Sequence, residues 1–372
     1  MTTPTDPRVS PSRTHHGPEE RGVFGEVRGR VEAVLYAFVR DKAAAAEAAG
    51  LSAEAAEAVE TFLRAGGKRI RPQLCVLGWQ AAGGTGLPDP VVRVAASLEM
   101  FHAFCLIHDD VIDHSDTRRG QPTVHRALTA RHHPGRTPQA AQRVGAAAAI
   151  LVGDFALAWA DELLHTTRLT PAQHKRITPL IDAMRTEVIH GQYLDVTATG
   201  QAGTDVDRAQ LIVRYKTAKY TCERPLHIGA ALAGADDTTL DQLSAFALPL
   251  GEAFQLRDDL LGVFGHQNAT GKPVLDDLRE GKPTMLIAHA LAAADQAQAR
   301  QLRTLYGDPH LKDDTAATVR SLLHATGAHH TVEQMIHDRH TQALKALARL
   351  NAPTRARDAL KALAGQAAWR TS

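Results

Sequence analysis

Apolar residues recur along this chain at three- and four-residue intervals, the spacing of one helix face. Alanine and leucine dominate, β-branched runs are scarce, and no alternating stretch of useful strand length occurs. The pattern predicts helices over 24–48, 52–65, 71–82, 89–114, 139–166, 171–199, 207–216, 218–234, 238–264 and 282–293, with several more from 297 to the end. Punctuation falls between them, at Gly83-Gly84, Pro88, Pro122, Pro134-Gly135, Gly200, Gly203, Gly271, Pro273 and Pro283. Thr170 followed by Pro171 reads as an N-cap with proline in the first turn. The segments 131–139 and 265–282 read as loops; the second is either a mobile lid or a plain surface connector. No linker divides the chain. The expectation is one all-α domain over 24–372 behind a polar tail over 1–23.

Composition narrows the class. The chain has 372 residues, 44% of them hydrophobic, as in an ordinary globular protein. A formal net charge of +1 offers no excess that would draw it to nucleic acid. Its three cysteines, Cys75, Cys105 and Cys222, are odd in number and sit in apolar helical context, so they read as reduced thiols of a cytoplasmic protein. The first ~22 residues are polar, lack the apolar centre of a signal peptide, and read as a disordered tail. The most apolar run, 144–160, is shorter than the roughly 20 residues a spanning helix needs and carries Asp154. It reads as a buried core helix, and no transmembrane segment is expected.

Two aspartate-rich segments stand out against this apolar background. One is His108-Asp109-Asp110-Val111-Ile112-Asp113, followed by Arg118-Arg119-Gly120; the other is Gln255-Leu256-Arg257-Asp258-Asp259. On a helix, His102, Cys105, Asp109 and Asp113 share one stripe. Two carboxylates about 5 Å apart repel by roughly 3 kcal/mol at an effective dielectric of 20. A Mg²⁺ bridging them to a substrate phosphate would offset that; a solvated acidic helix end is the plainer reading of either motif alone. Arg118 and Arg119 favour the phosphate, because guanidinium groups bind it bidentately. Gln255 and Asp258 share a face, with Asp259 about 100° round and Gly262 one turn on from Asp258. Gly66-Gly67-Lys68-Arg69-Ile70-Arg71-Pro72 joins two helices and places cations near a helix N-terminus. Tyr215-Lys216-Thr217 falls at another helix junction, Gln192 and Asp195 on a long helix, and Lys272 in a loop. The histidine pairs at 15–16, 132–133 and 329–330 lack zinc-ligand spacing and read as solvated. No phosphate-binding GxxxxGK[ST] loop occurs.

Together these residues resemble the trans-isoprenyl diphosphate synthase (polyprenyl synthetase) family, over essentially the whole chain after the tail. The resemblance rests on GGKRIRP at 66–72, HDDVIDHSDTRRG at 108–120, VGD at 152–154, GQYLD at 191–195, YKTA at 215–218, QLRDD at 255–259, and TGKP and EGKPT in the following loops. It implies an all-α helical bundle around a deep central cavity, of the isoprenoid synthase type, assembled as a homodimer. It implies Mg²⁺-dependent head-to-tail joining of isopentenyl diphosphate to an allylic diphosphate (dimethylallyl, geranyl or farnesyl), with three Mg²⁺ ions for which Mn²⁺ can substitute. At the matching positions it implies Asp109, Asp113 and Asp258 as Mg²⁺ ligands, with Asp110 and Asp259 as further members of the metal motifs. Arg118, Lys216 and Lys272 would contact the allylic diphosphate; Gly67, Lys68, Arg71, His102 and Arg119 would hold isopentenyl diphosphate; Thr217, Gln255 and Gln192 would lie near the developing cation.

Three positions depart from the family pattern. Gly262 stands where many relatives carry the last acid of the second motif, and His266 and Pro283 replace an acidic and a basic residue. In this family, bulk before the first motif sets the cavity floor, here Phe104 and Cys105, five and four residues before Asp109, with Phe101 deeper. One large side chain beside a small one resembles geranylgeranyl diphosphate synthases and implies a C20 product, with C15 and then C25 or longer as alternatives. Two further readings compete: a class I terpene cyclase, which has no need of a second diphosphate site, and a non-catalytic subunit, which would be expected to lose metal aspartates.

Overall fold

The computed structural model describes residues 18–200, 203–265 and 276–369. Its first half consists of α1 (Pro18–Ala48), α2 (Glu54–Arg64), α3 (Ile70–Ala81), α4 (Asp89–Ile112), α5 (Val124–Arg131), α6 (Pro138–His165) and α7 (Pro171–Ala198). Then come α8 (Val206–Ile212), a π-helical segment (Val213–Glu223), α9 (Arg224–Leu232) and α10 (Asp237–Phe264). The C-terminal part holds α11 (Asp276–Glu280), α12 (Met285–Ala293), α13 (Gln296–Leu305), α14 (Asp313–Ala325), α15 (Ala328–Arg349) and α16 (Thr354–Trp369). A two-stranded ribbon, Thr117–Arg118 against Gln121–Pro122, is the sheet among the described residues.

Local chemistry sets many of the boundaries. Thr170 and Gln173 form a reciprocal capping box at the start of α7, with Pro171 in the first turn. Asp295 and Gln298 do the same for α13, and Asp236 caps α10.

Several boundaries differ from expectation. α1 begins at Pro18, not at 24, where proline followed by two glutamates suits a helix start; residues 1–17 of the expected tail lie outside the described residues. α5, the ribbon and α11 occupy stretches where the apolar pattern was too short to register. The expected break at 216–218 does not occur. The chain passes from α8 to α9 through the π-helical segment, so Tyr215, Lys216 and Thr217 lie within a continuous helical run. Wider π turns are frequent at functional sites.

The central packing places α7 and α10 against this π segment. Gly191 and Gly251 make that possible: a Cβ at Gly191 would lie 2.4 Å from the Lys216 backbone nitrogen, and one at Gly251 would lie 2.4 Å from the Ala218 Cα. Three apolar cores result, one among α1–α4, α6 and α7, one between α10 and α12–α15, and one joining α3, α9, α10, α15 and α16. α4 and α6 are each long and apolar enough to cross a membrane by length and composition. α4 is mostly buried. α6 buries one face, as expected of a core helix, but Ile150, Leu151 and Phe155 are exposed on the other.

Candidate active site

A cavity of about 1240 Å³ opens among α3, α4, α7, the π segment and α10. Its walls carry Gly67, Lys68, Arg71, His102, Phe104, Cys105, Asp109, Arg118, Arg119, Gln192, Lys216, Thr217, Gln255, Asp258 and Asp259. Residues far apart in sequence thus converge. Lys272 and His266 lie outside the described residues. Phe101, Asp110 and Asp113 do not line the wall among the described residues.

The first motif closes α4. Asp109 and Asp110 are in its last turn, and Asp113 is its C-cap, its N–H donating to the Asp109 carbonyl at 2.8 Å. Carboxylates at a helix C-terminus face the negative end of the helix dipole, so they need nearby cations. Lys216 Nζ lies 2.5 Å from Asp195 and 3.5 Å from Asp109. Gln192 Nε2 donates to Asp109 Oδ1 at 2.8 Å. Lys282 Nζ lies 2.9 Å from Asp113 Oδ2 and 2.8 Å from Glu280. Burial alone would lower both ammonium pKa values. The carboxylates outweigh it, Asp109 and Asp195 raising Lys216, and Asp113, Asp277 and Glu280 holding Lys282 well above its ordinary value.

Asp110, the further member of the first motif, is engaged by an arginine. Its carboxylate is 1% exposed and accepts from Arg118 Nε at 2.9 Å and Nη2 at 2.6 Å. This fork-to-fork pair fixes Arg118, which also lies 3.8 Å from Asp109.

On the facing helix α10, Asp258 is exposed and Asp259 buried. Thr217 Oγ1 donates to Gln255 Oε1 at 2.5 Å, and Gln255 Nε2 donates to Asp259 Oδ1 at 2.8 Å. Burial, with Asp258 beside it, pushes the Asp259 carboxyl up to about 7. Asp258 is thus the more exposed member of this pair and lines the cavity, and Asp259 accepts from Gln255. The separation of roles was not evident from adjacent letters in the sequence.

The basic loop lines the opposite wall. Arg71 donates to Thr221 Oγ1 at 2.6 Å and stacks 4.3 Å from the Tyr220 ring centroid. The Tyr220 hydroxyl lies 3.3 Å from His102 Nδ1. Burial, reinforced by Arg71, Arg119 and Arg118, lowers the His102 pKa well below its usual value, so the ring is neutral at pH 7. Arg119 donates to the Gly66 carbonyl, and Gly67 leaves room for its guanidinium, since a Cβ there would lie 2.9 Å from Nη2. Arg69 turns away. It is buried, with its guanidinium 2.8 Å from Glu99 and donating to the Leu63 carbonyl at 2.6 Å. Arg69, His114 and Arg119 all hold positive φ, a local strain concentrated around this cavity.

A profile for the family described as polyprenyl synthetase matches residues 52–323. The chain belongs to the polyprenyl synthetase family. It is a prenyltransferase, an isoprenyl diphosphate synthase. A geranylgeranyl pyrophosphate synthase from Corynebacterium glutamicum, solved in complex with isoprenyl diphosphate and magnesium, superposes with a TM-score of 0.86. It is 38% identical, over 92% of this chain and 99% of that one. A geranylfarnesyl diphosphate synthase from Aeropyrum pernix is 33% identical over 72% of this chain and 78% of its own length. A (2E,6E)-farnesyl diphosphate synthase from Mycobacterium tuberculosis is 33% identical over 80% of this chain and 78% of its own. The fold is the all-α fold of these synthases.

The deeper wall of this synthase is aromatic. The Phe104 ring packs 4.7 Å from His108 and 5.3 Å from Phe101. Phe101 lies behind Phe104, fully buried, and so supports the wall instead of forming it. Cys105 lines the cavity beside Tyr220, its thiol pushed up to about 12 by burial. Sequence reasoning assigned no role to Lys282, Asp277 or Tyr220, all of which face the cavity. The signal for Lys282 was present in the EGKPT match, but a lone lysine beside a proline gives no hint that it reaches back to Asp113. Pro283 lines the cavity next to it.

Proposed function

We propose that this synthase condenses isopentenyl diphosphate with an allylic diphosphate in the 1240 Å³ cavity to give geranylgeranyl diphosphate, using Mg²⁺ and acting as a homodimer. The observation that carries this reading is the presence of two cationic walls in one cavity. Lys216, Lys282 and Arg118 stand among the aspartates, and Lys68, Arg71 and Arg119 stand on the α3 side. One diphosphate needs one such wall; joining two substrates needs both. A cyclase would have no use for the second, and a non-catalytic subunit none for the intact Asp109–Asp113 motif.

The residues suit magnesium. Asp109, Asp113 and Asp258 offer hard oxygen donors, and the first two already gather ammonium groups against the negative end of α4. Magnesium, when bound, adds charge that stabilises a departing diphosphate. Lys216 and Arg118 supply fixed positive charge at the same place, so the allylic C–O bond breaks without solvent reorganisation. Thr217, hydrogen-bonded to Gln255, and Gln192, hydrogen-bonded to Asp109, would place polar groups near the electron-poor carbon. Arg71, Lys68 and Arg119 hold the second diphosphate, setting its double bond against the allylic carbon. A C–C bond forms, a proton leaves the neighbouring carbon, and the released diphosphate accepts it. Neutral His102 and apolar Phe104 keep water from the cation. No aspartate acts as a general acid in this scheme.

Phe104 beside small Cys105 supports the C20 product, as does likeness to the geranylgeranyl synthase. The exposed apolar side chains Ile150, Leu151 and Phe155 on α6, with Ile189, Tyr193 and Val196 on α7, support a subunit interface in place of a lipid-facing surface. The free thiols Cys75, Cys105 and Cys222 accord with a reducing, cytoplasmic setting.

The test is incubation of the purified chain with Mg²⁺, isopentenyl diphosphate and each of the dimethylallyl, geranyl and farnesyl primers. Chromatography of the dephosphorylated products should give the C20 alcohol as the end point from all three. A hydrocarbon formed from farnesyl diphosphate alone would instead support cyclisation.

A further inference from the structure

We propose that Glu187, a residue of α7 outside the cavity, is a positioning residue: it holds the π winding of Val213–Glu223 and through it sets Lys216 and Thr217 in the cavity. Its carboxylate accepts from Lys219 Nζ at 2.7 Å, from Arg224 Nε at 2.7 Å and from Arg224 Nη2 at 2.6 Å. Lys219 and Arg224 are five residues apart in sequence. On an α-helix such residues point about 140° away from one another. On a π-helix, whose hydrogen bonds run i→i+5, they stand one above the other. The Arg224 N–H donates to the Lys219 carbonyl, so a π hydrogen bond and a shared carboxylate join the same two residues. Burial alone would raise the Glu187 carboxyl pKa, but Arg224 and Lys219 hold it below its ordinary value, so the clamp is ionic at pH 7.

The grip reaches the cavity along one row of α7. Glu187, Gly191 and Asp195 follow one another at four-residue steps. Glu187 holds the far end of the π segment, Gly191 admits the Lys216 backbone, and Asp195 takes the Lys216 ammonium at 2.5 Å. Glu223, buried with its carboxylate 3.4 Å from Lys219 Nζ, makes the set of two acids and two bases neutral. Lys216 and Thr217 line the cavity, whereas Glu187, Lys219 and Arg224 do not. A return to α winding would swing Arg224 away from Glu187 and turn Lys216 and Thr217 relative to α9. The plainer alternative is a tie between α7 and α9 that serves stability alone.

This inference rests on the roles proposed above for Lys216 and Thr217, and the experiment separates the two. Condensation of geranyl diphosphate with isopentenyl diphosphate is measured well below the melting temperature of each variant, alongside amide hydrogen exchange of residues 213–223 by mass spectrometry. Glu187→Gln keeps the shape of the side chain and removes its charge. Its kcat should fall by about tenfold, short of the ~100-fold that a 1 Å misplacement can cost. Its π-segment amides should exchange faster than the parent's. The KM for isopentenyl diphosphate should stay within about twofold, because Lys68, Arg71 and Arg119 stand on other elements. Arg224→Met should match Glu187→Gln, and the double variant should be no worse than either, since both break one clamp. Arg224→Lys, which keeps a cation on the carboxylate, should retain kcat within about threefold. A lowered melting temperature with parental kcat in Glu187→Gln, or unchanged exchange across 213–223, would overturn the proposal and leave the role of Lys216 intact. Lys216→Met should lose more kcat than Glu187→Gln. A parental kcat there would instead remove the role of the lysine itself, and the positioning with it.

Discussion

Arg118→Ala would remove the guanidinium that pairs with the Asp110 carboxylate, which is 1% exposed. Breaking one partner of such a buried pair costs about 3–5 kcal/mol, so thermal unfolding of the variant should fall by many degrees. Asp109→Asn should do the opposite: it removes charge from the negative end of α4, so the melting temperature should hold or rise while condensation is lost. Adjacent aspartates in one motif therefore separate by calorimetry, one carrying stability and the other activity. The sequence marked both as acids but could not say which was buried, because that depends on the ribbon after α4 bringing Arg118 back over it. His125 gives a pH signature at the same scale. Burial lowers its pKa to about 4, with the Thr123 hydroxyl at 3.1 Å from Nδ1. The unfolded chain then binds a proton that the native state refuses between about pH 6.5 and 4. Stability from neutral His125 is full above that window and declines as pH falls through it. His125→Gln should show a shallower loss of melting temperature across the window than the parent.

Periodicity made nearly every long helix legible, since a stripe of apolar residues is both the signal and the surface that packs. It failed where backbone geometry changes without changing the stripe. The π segment reads in sequence as two helices meeting at Lys216–Thr217, yet it is one run gripped by α7 and α10. The grip was encoded in Gly191 and Gly251, whose meaning appears only once the helices touch. Gly191→Ala tests it. A methyl group 2.4 Å from the Lys216 backbone nitrogen cannot be absorbed by a side-chain rotation, so the two elements must separate. Overpacking of this kind costs about 1–3 kcal/mol. Because Lys216 sits between Asp109 and Asp195, condensation should lose more than the stability change explains. A variant with parent-like kcat would show that the π segment does not set the lysine. Hydropathy alone also overestimated how much of α6 is buried, since it does not say which helices of the chain cover an apolar face. If the proposed homodimer forms on that face, Leu151→Glu, at a position 60% exposed in the single chain, should leave folding intact and halve the particle mass in light scattering.

The whole molecule turns these local features into a measuring device for chain length. In the proposed reaction the growing hydrocarbon would start at the aspartates at the end of α4 and run back along that helix, so each turn passed would add about 5.4 Å of room. Phe104 is the large side chain it meets, braced by His108 on one side and Phe101 behind. Cys105 is too small to stop a chain, and its neighbour Tyr220 is held by His102 and Arg71. Phe104→Ala removes the ring and opens the path toward Phe101, which is fully buried in the parent. Chromatography of the dephosphorylated products should then move to chains longer than the parent's, from the proposed C20 to C25 and beyond. Phe101→Ala alone should leave the product distribution nearly unchanged, because that ring does not line the wall while Phe104 covers it. The double variant should exceed Phe104→Ala, since the second ring becomes the floor only after the first is gone. This order of effects is what distinguishes a stacked floor from general loosening of α4, in which either single substitution would lengthen the product. If Phe104→Ala retains the parental product, the stop lies on another element, and the α7 residues Val188 and Ile189 on the facing wall become the next to truncate.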